Sequence, residues 1–361
     1  MILTKFQREY MNVHTRDFLF MKKIISVLSI AIFVVPVLAR QDKPKVQLIE
    51  RDSKIDVMIS GKLFTSYVYG SELTKPVLVP VRTPSGIEVN RRRLLTEAEG
   101  ASTDHPHHVG IFFAVDKVNG TKFWNNTAPP PQIKHIKITE LASGTGKGKL
   151  STIMHWIDND GRVVLEEKRS MIFLADEYEN EYAIDFSMDL TAKDTKVVFD
   201  DIEEGMFAIR VSDYLRQGSV KIDSKSGLPM PKESVDGTGT YFSSNGDETA
   251  KNIWGKRARW VALQGARKGK IVGVAILNHP ASINYPTYWH VRNYGLFSAN
   301  PLGQGDFQRQ RPRQYRKNKV IPLRLTLEPG ETAHFRFLVI VYDRVRTNHQ
   351  IEKRFGEFVK K

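Results

Sequence analysis

The chain has 361 residues, a formal net charge of +14 and no cysteine. The lack of cysteine excludes disulfides, thiolate metal sites and a cysteine nucleophile. The positive charge is compatible with an anionic partner. Because the chain is expected to be exported, anionic glycans or lipid headgroups are more plausible partners than nucleic acid, and the charge is also compatible with no particular partner.

An export signal is expected near the start. Residues 1–20 are interpreted as an upstream misreading, with Met21 as the true first residue. After Met21, two lysines precede an apolar run at residues 24–35 and a small-residue end at Ala39. That run of roughly 12 residues is too short to span a bilayer as a helix. It predicts a cleaved signal peptide at residues 21–39 and a periplasmic or extracellular protein with no membrane span.

Strand patterns recur along the remainder of the chain. The clearest lies at residues 181–190, where Tyr182, Ile184 and Phe186 share one face and acidic or small residues share the other. This period of two is typical of a half-buried strand. Further strands are predicted at residues 46–59, 63–69, 134–141, 197–201, 207–212, 259–264, 270–277, 323–327 and 334–342.

Turn and helix signals complete the fold prediction. The pairs Asn119-Gly120 and Asp160-Gly161 accept the positive φ of tight hairpin turns. Helical spacing is convincing only near the end, where Ile351, Phe355 and Phe358 recur at spacings of four and three. The chain is therefore predicted to be all-β: one domain at residues 40–361, a large antiparallel two-sheet β-sandwich with a short C-terminal helix.

Two segments are predicted to be loops. Residues 213–248 are rich in Gly, Ser, Asp and Lys and lack an apolar pattern, which is typical of a long loop beside a binding cleft. The basic run at residues 309–319 is expected to face solvent, with a dedicated anion site as the alternative.

The first histidine cluster spans residues 104–108 and contains Asp104, His105, His107 and His108. Imidazole exchanges protons near neutral pH and is the commonest metal ligand in proteins. In regular extended geometry His105 and His107 would point one way and His108 the other, so these residues alone do not predict a three-histidine metal site. No cofactor is assigned, and a bound divalent metal is left open.

The second cluster includes His279 and residues 285–295. If its centre is extended, Tyr288, His290 and Arg292 share one face. Such a row suits an oxygen-rich ligand, with Arg292 binding a carboxylate or hydroxyls and His290 moving a proton. The alternative is structural, with His and Tyr satisfying buried backbone groups and Arg292 pairing with an acidic neighbour.

Other candidates lie between and within the clusters. Glu204 stands beside Gly205 at the edge of an apolar strand and could act as a general base, or it could be an ordinary surface carboxylate. Trp124, Tyr285 and Tyr288 could provide stacking platforms for a sugar ring, or they could be core aromatics. The chain has no P-loop, dinucleotide fingerprint, Gly-x-Ser-x-Gly elbow or HExxH motif, so nucleotide-driven chemistry and serine hydrolysis are disfavoured.

Long ordered motifs cover most of residues 43–343 and resemble the family of exported bacterial proteins labelled PmoA or methane oxygenase PmoA. The motifs are residues 75–80, 104–110, 116–124, Trp254-Gly255, 278–280, 285–295 and Ala299-Asn300-Pro301. Methane oxidation itself is disfavoured, because no apolar run beyond the predicted signal could cross a bilayer. The β-rich pattern is also similar to the sandwich of galactose mutarotases and several polysaccharide lyases, which implies a concave face that binds sugars through His, Arg and Glu.

These observations favour a carbohydrate-active protein that catalyses proton transfer on a sugar or another oxygen-rich small molecule, by epimerisation, lyase or hydrolytic chemistry. A non-catalytic glycan-binding envelope protein is the alternative. Both hypotheses require the two clusters to meet at a solvent-open hollow, and the oligomeric state is left open. The predicted catalytic residues are His107, His108, Glu204 and His290, and the predicted substrate-binding residues are His105, Trp124, His279, Tyr285, Tyr288, Arg292 and Asn293.

Overall fold

Antiparallel strands are the main secondary structure of the described residues. The structure is a computed structural model that describes residues 43–92, 102, 104–175, 178, 180–218, 237–310 and 319–361. The predicted misreading and signal peptide at residues 1–39 lie outside the described residues. The described part of the chain contains nineteen strands and three α-helices. None of these helices has the length and apolar character needed to cross a membrane.

The strands form two large antiparallel sheets, which confirms the predicted fold class. The nine-stranded sheet contains, in spatial order, β16 (Tyr288–Val291), β17 (Leu296–Asn300), β12 (Gly205–Arg210), β5 (Ile111–Val115), β4 (Val77–Val81), β3 (Lys62–Val68), β2 (Lys54–Ile59), β1 (Lys45–Arg51) and β7 (Gly144–Thr145). The eight-stranded sheet contains β13 (Thr240–Ser243), β14 (Trp260–Arg267), β15 (Lys270–Asn278), β19 (Thr332–Asp343), β10 (Glu181–Ala192), β9 (Val163–Leu174), β8 (Lys147–Ile157) and β6 (Gln132–Ala142). A small third sheet pairs β11 (Val197–Val198) with β18 (Thr326–Leu327).

The core lies between the two large sheets. Phe207 of β12 stacks on Phe337 of β19 with ring centroids 4.8 Å apart, and Phe113 of β5 contacts Phe335 of β19 at 5.9 Å. Because successive side chains of a strand point to opposite faces, the neighbours of Phe113 and Phe207 point away from the core. We call the side of the nine-stranded sheet that faces away from the eight-stranded sheet the outer face. It carries Phe112 of β5 and Arg210 of β12.

Two predicted hairpin turns are confirmed. Asn119 and Gly120 both have positive φ, and Val118 pairs with Thr121 across them. Gly161 has φ 82° and lies between β8 and β9. Left-handed backbone of this kind favours Gly and Asn, which explains why these pairs mark the turns.

The predicted C-terminal helix is also confirmed, as α3 (Asn348–Phe358). Thr347 and Gln350 form a capping box at its start, in which each side chain bonds the backbone N–H of the other residue. Ile351 and Phe358 are buried in a second apolar cluster with Trp260 of the eight-stranded sheet. The helix therefore packs on that sheet, away from the outer face of the nine-stranded sheet.

Some predicted boundaries were wrong. The single strand predicted at residues 46–59 is two strands, because Ser53 takes φ 55° and reverses the chain between β1 and β2. The predicted loop at residues 213–248 contains β13, while its residues 219–236 lie outside the described part. The basic run at residues 309–319 begins inside α2 (Gln304–Gln310), and its residues 311–318 are likewise not described. The short α1 (Ala250–Ile253) precedes β14.

Candidate functional site

The first histidine cluster forms an irregular turn ahead of β5. His105 has φ 46°, and the backbone N–H of His108 donates to the carbonyl of His105 at 3.0 Å. The ring centroid of His108 lies 5.1 Å from that of His105 and 4.2 Å from that of His107. The segment is therefore not extended, and the regular geometry in which His108 would point away from the other two does not apply. The positive φ reverses the chain, and the three imidazoles gather together.

Gly110 ends this turn and fixes where it joins the sheet. Its φ is 63°, and a Cβ atom placed on it would lie 2.4 Å from the carbonyl oxygen of Leu78 in β4. No larger residue fits there without moving the backbone. The close contact with β4 holds the turn at the outer face.

Arg91 ties the turn together through its backbone. Its Nη1 donates to the carbonyl of Asp104 at 2.8 Å, and its Nη2 donates to the carbonyls of His105 at 2.7 Å and His108 at 2.8 Å. Arg91 is buried, so these charge-assisted hydrogen bonds are shielded from water. The positions of the imidazoles thus depend on one arginine.

Asp104 joins the turn to the sheet and orients His105. Nη2 of Arg210 donates to both carboxylate oxygens of Asp104, at 2.8 and 2.7 Å. Burial opposes ionisation of Asp104, but hydrogen bonds from Arg210 and His105 hold its pKa well below the usual range. Nδ1 of His105 lies 2.6 Å from this carboxylate, which can only accept, so Nδ1 carries a proton and, in the neutral imidazole, Nε2 carries the lone pair. A carboxylate-oriented imidazole with a lone pair on the far nitrogen has the arrangement of a general base.

His107 and His108 are neutral imidazoles beside His105. Burial, followed by the nearby Lys75 charge, lowers the pKa of His107 to about 4. Burial and the neighbouring His107 hold the pKa of His108 far below the usual range. His108 is only 2% exposed, and neither of its ring nitrogens has a hydrogen-bond partner among the described residues. Burying a polar group without a hydrogen-bond partner lowers the stability of the folded protein by about 1–3 kcal/mol. The position of His108 is therefore better explained by a role in binding or chemistry than by a role in stability.

The two histidine clusters meet through Tyr294. The ring of Tyr294 stacks on that of His105 with centroids 4.6 Å apart and planes 7° apart. The guanidinium of Arg210 lies over the same tyrosine ring at 4.8 Å. Residues almost 190 positions apart in the sequence therefore share one contact cluster on the outer face.

His290 lies on the predicted face of its strand, but both of its nitrogens are occupied. Nδ1 is 2.9 Å from the carbonyl of Glu203, so Nδ1 carries the proton, and Nε2 accepts the Nε–H of Arg292 at 3.0 Å. Burial, followed by the Arg292 charge, lowers the pKa of His290 to about 3. The predicted catalytic role of His290 is corrected: with no free nitrogen and 4% exposure, it positions Arg292.

Two half-buried glutamates precede β12. Burial raises the pKa of Glu203, which also receives long bonds from Nη2 of Arg292 at 3.3 Å to both oxygens. Burial likewise raises the pKa of Glu204, and the charges of Asp116 and Asp306 add to this effect. A carboxyl group with a raised pKa is suited to give and take a proton near neutral pH.

A buried lysine supports the loop beside His108. Nζ of Lys75 donates to the carbonyls of Phe123 and Trp124 and to Oδ1 of Asn126, at 3.1, 3.2 and 2.8 Å. Burial lowers the pKa of Lys75 to about 7, although Asp116 opposes the shift. All three donors are used, so Lys75 has a structural role here.

Two of the predicted stacking platforms are covered. Trp124 is 1% exposed, and its ring packs against those of His108 and Phe112. Tyr288 is 7% exposed, and its ring packs against the ring of Phe307, at 5.6 Å, and under the guanidinium of Arg257, at 4.7 Å. Neither ring has a face free for a sugar, so both predictions are corrected to packing roles.

Two predicted binding residues lie elsewhere. His279 contacts Arg336 and the ring of Phe358 in α3. Tyr285 packs against the second apolar cluster, which belongs to the eight-stranded sheet and α3. The structure therefore does not bring His279 or Tyr285 to the outer face. Asn293 is exposed and lies next to Arg292 and Tyr294.

The residues that the structure describes contain no group of three or more His, Asp or Glu side chains placed to hold a metal ion. The gathered imidazoles differ from a metal centre in their contacts. His105 and His108 stack face to face, with planes 2° apart, instead of pointing their nitrogens at a common centre.

The sequence of residues 54–356 matches the model of a family of unknown function, DUF6807. The chain belongs to the DUF6807 family. No curated protein matches it. Nothing in these comparisons bears on the PmoA label.

Solved structures similar to this DUF6807 protein include a galactose mutarotase-like protein from Clostridium acetobutylicum, at 9% identity and a TM-score of 0.37, with 84% of this chain and 99% of that chain covered. Galactose 1-epimerase from Lactobacillus acidophilus matches at 9% identity and a TM-score of 0.34, with the same coverages. A GH36 α-galactosidase from Geobacillus stearothermophilus matches at 13% identity and a TM-score of 0.35, covering 77% of this chain and 39% of that chain. These values carry no functional assignment.

Several residues of the DUF6807 site were missed by sequence reasoning. Arg91, Arg210, Tyr294 and Glu203 bond or stack directly with the predicted residues. Arg210 did carry a signal, because a charged residue that directly continues an unbroken apolar strand is expected to be buried with a partner. Tyr294 lay within the second cluster and Glu203 beside Glu204, although neither was singled out as a site residue. Arg91 carried no local signal.

Proposed function

We propose that the outer face of the nine-stranded sheet catalyses proton transfer on a sugar or sugar derivative. The observation that carries the proposal is the pairing of two different imidazoles. His105 is oriented by Asp104 through Nδ1, which leaves Nε2 as the nitrogen that exchanges a proton in this proposal, and His107 is neutral, with its ring centroid 6.0 Å from that of His105. Glu203 and Glu204, whose pKa values are raised by burial, are the carboxyl groups that exchange protons in this proposal.

The mixture of donors and acceptors favours a polyhydroxyl ligand. Imidazole lone pairs accept hydrogen bonds, guanidinium groups only donate, and a sugar hydroxyl does both. Arg292 is fixed by His290 and Glu203, so it can orient a ligand at little entropic cost. Epimerisation, lyase chemistry and hydrolysis all use such an acid and base pair, and the set of residues is compatible with each.

The test is a panel of sugars, keto-sugars and uronates incubated with the protein in D₂O and followed by NMR. Proton transfer at carbon gives deuterium incorporation or a new epimer, and proton transfer at the ring and anomeric oxygens gives a new anomer. Lyase or hydrolytic activity gives a shorter product. We expect wild type and the exposed His349→Ala control to act alike and His105→Ala to be inactive. Binding without chemical change would instead favour the alternative, a non-catalytic glycan-binding envelope protein. Equal turnover by wild type and the His105→Ala variant would exclude the proposed site.

We also propose export through the segment at residues 21–39. Expression of the full chain in a Gram-negative host, fractionation and N-terminal sequencing test this. A periplasmic product that begins at or near Arg40 is expected, and an uncleaved cytoplasmic product would contradict it.

A further inference from the structure

A cavity of about 350 Å³ lies beside the candidate site. Its walls include Gln217, Lys251, Trp254, Arg292 and Asn293. The volume falls within the range of small-ligand sites and is sufficient for a single sugar ring. Arg292 connects the cavity to the site, because the same side chain bonds His290 and Glu203.

The cavity walls carry positive charge that the described residues neutralise only in part. Lys251 is exposed and has no ion pair among the described residues. Arg292 faces one carboxylate, Glu203, and both contacts are 3.3 Å, longer than the 2.7–2.9 Å typical of charge-assisted bonds. Nη1 of Arg292 makes no hydrogen bond to the described part of the chain. No acidic residue belongs to the described lining.

The neutral lining groups also offer donors. Oε1 of Gln217 accepts the backbone N–H of Ala250 at 2.7 Å, so its amide NH₂ remains available. The indole Nε1 of Trp254 is buried and has no partner among the described residues. The Trp254 ring also supports Arg292, whose guanidinium lies over it at 5.1 Å. A preformed set of donors around two cations is the arrangement that recognises an oxyanion.

We infer that this cavity binds the oxyanion substituent of an acidic sugar, a carboxylate, sulfate or phosphate group, held by Arg292 and Lys251. The inference rests on the proposed function, because the sugar ring is the part presented to the histidines and glutamates. Neutral sugars lack the group that the two cations recognise. The positive net charge of the chain adds a long-range attraction for such a ligand.

The experiment is calorimetric titration of the full protein with glucose, glucuronate, glucose 6-sulfate and glucose 6-phosphate at two salt concentrations. We expect at least one acidic sugar to bind more tightly than glucose and to lose affinity as salt rises. The order among the three acidic sugars tells which oxyanion is preferred. Lys251→Met should weaken acidic-sugar binding about threefold to fivefold, and Arg292→Lys about tenfold or more.

Lys270→Met is the matched control, because it removes the same charge from an exposed residue at the start of β15. It should leave the affinity unchanged, and melting temperatures of all variants should stay near that of wild type. Equal binding of glucose and the acidic sugars, or equal effects of Lys251→Met and Lys270→Met, would overturn the inference while a reaction on neutral sugars could still stand. Neither binding nor turnover of any sugar would overturn the proposed function as well.

Discussion

Asp104 is the carboxylate partner of a fully buried Arg210, and the two residues are 106 positions apart in the sequence. Nη2 of Arg210 reaches both oxygens of Asp104, and Nε and Nη1 have no partner among the described residues. A buried guanidinium cannot lose its proton, so its charge must be compensated by a neighbour. Asp104 therefore compensates the charge of Arg210 and, in the proposed function, also orients His105.

Asp104→Asn should lower the free energy of unfolding by about 2 kcal/mol, because Arg210 would keep its charge and lose its compensation. This figure is below that of a fully buried pair, since the side chain of Asp104 is 36% exposed. Urea unfolding at pH 7 measures the loss. Asp189→Asn, in the exposed pair with His334, is the control and should cost less than about 1 kcal/mol. Equal losses would show that Arg210 does not depend on Asp104.

His105→Ala and His107→Ala should each lower kcat by about 100-fold or more on whichever sugar proves to be a substrate. His105 is exposed and His107 half-buried, so the melting temperature should change little. The exposed His349→Ala variant controls for the loss of a histidine. Retention of more than half of the wild-type kcat in both site variants would remove the imidazole pair from the mechanism.

Stability should fall as the pH falls below about 6.5. The pKa of His290 is lowered to about 3 in the folded protein, whereas an unfolded histidine takes up its proton near pH 6.5. The contribution of neutral His290 is therefore fully present above pH 6.5 and is lost as the pH falls toward 3. The slope is about 1.4 kcal/mol per pH unit for one proton.

His290→Gln should flatten that profile, because glutamine does not titrate and can still bond both Glu203 and Arg292. Unfolding in urea at pH 7, 6 and 5 gives the two slopes, with His349→Gln as the control for an exposed histidine. Parallel profiles for wild type and His290→Gln would mean that His290 is not held neutral by the fold.

His290 and Arg292 should act as one unit. His290→Ala releases Nε of Arg292, so it should raise KM more than it lowers kcat, and Arg292→Ala should do the same. In the double variant the effects should fall short of additivity by about 0.5–3 kcal/mol, as expected for residues in contact. Kinetics of the four proteins measure this coupling. If the effects of the two substitutions were strictly additive, His290 would not act through Arg292. If His290→Gln restored the wild-type KM, the role of His290 would be to position Arg292.

The contact between the sheets depends on the stacked phenylalanines. Phe207→Ala should lower the free energy of unfolding by about 3–5 kcal/mol, because it leaves a cavity against Phe337 and Phe186. Ile136→Ala, at a 41% exposed position, should cost far less. Chemical denaturation measures the free energy of unfolding of both variants. Similar losses in the two variants would show that the Phe207 contact is not part of the stabilising core.

Strand identity was readable where one face is buried. The alternation from Tyr182 to Leu190 predicts β10, and the turn pairs at Asn119 and Asp160 predict two reversals, because period and left-handed backbone are local properties. Strands buried along their whole length, such as β12 and β17, have no exposed face and gave weaker signals. The break at Ser53 was missed although the buried positions change across it, from even numbers (Val46 and Leu48) to odd numbers (Ile55, Val57 and Ile59).

The sequence predicted which residues form the candidate site better than it predicted how their side chains are oriented. His105, His107 and Arg292 were named from their density, and the structure gathers them at one face. Their orientation depends on Arg91 and Arg210, which come from distant segments and have no periodic signature. The occupancy of both nitrogens of His290 also depends on the carbonyl of Glu203, 87 residues away.

Arg91 donates hydrogen bonds to three carbonyl oxygens of the histidine turn, those of Asp104, His105 and His108, so the turn is set before any ligand arrives. Little chain ordering is then left to occur on association, and the affinity of a ligand is not reduced by the cost of folding a loop around it. Ligand contacts made by these imidazoles should accordingly be those of a rigid template, with closely similar free and bound forms.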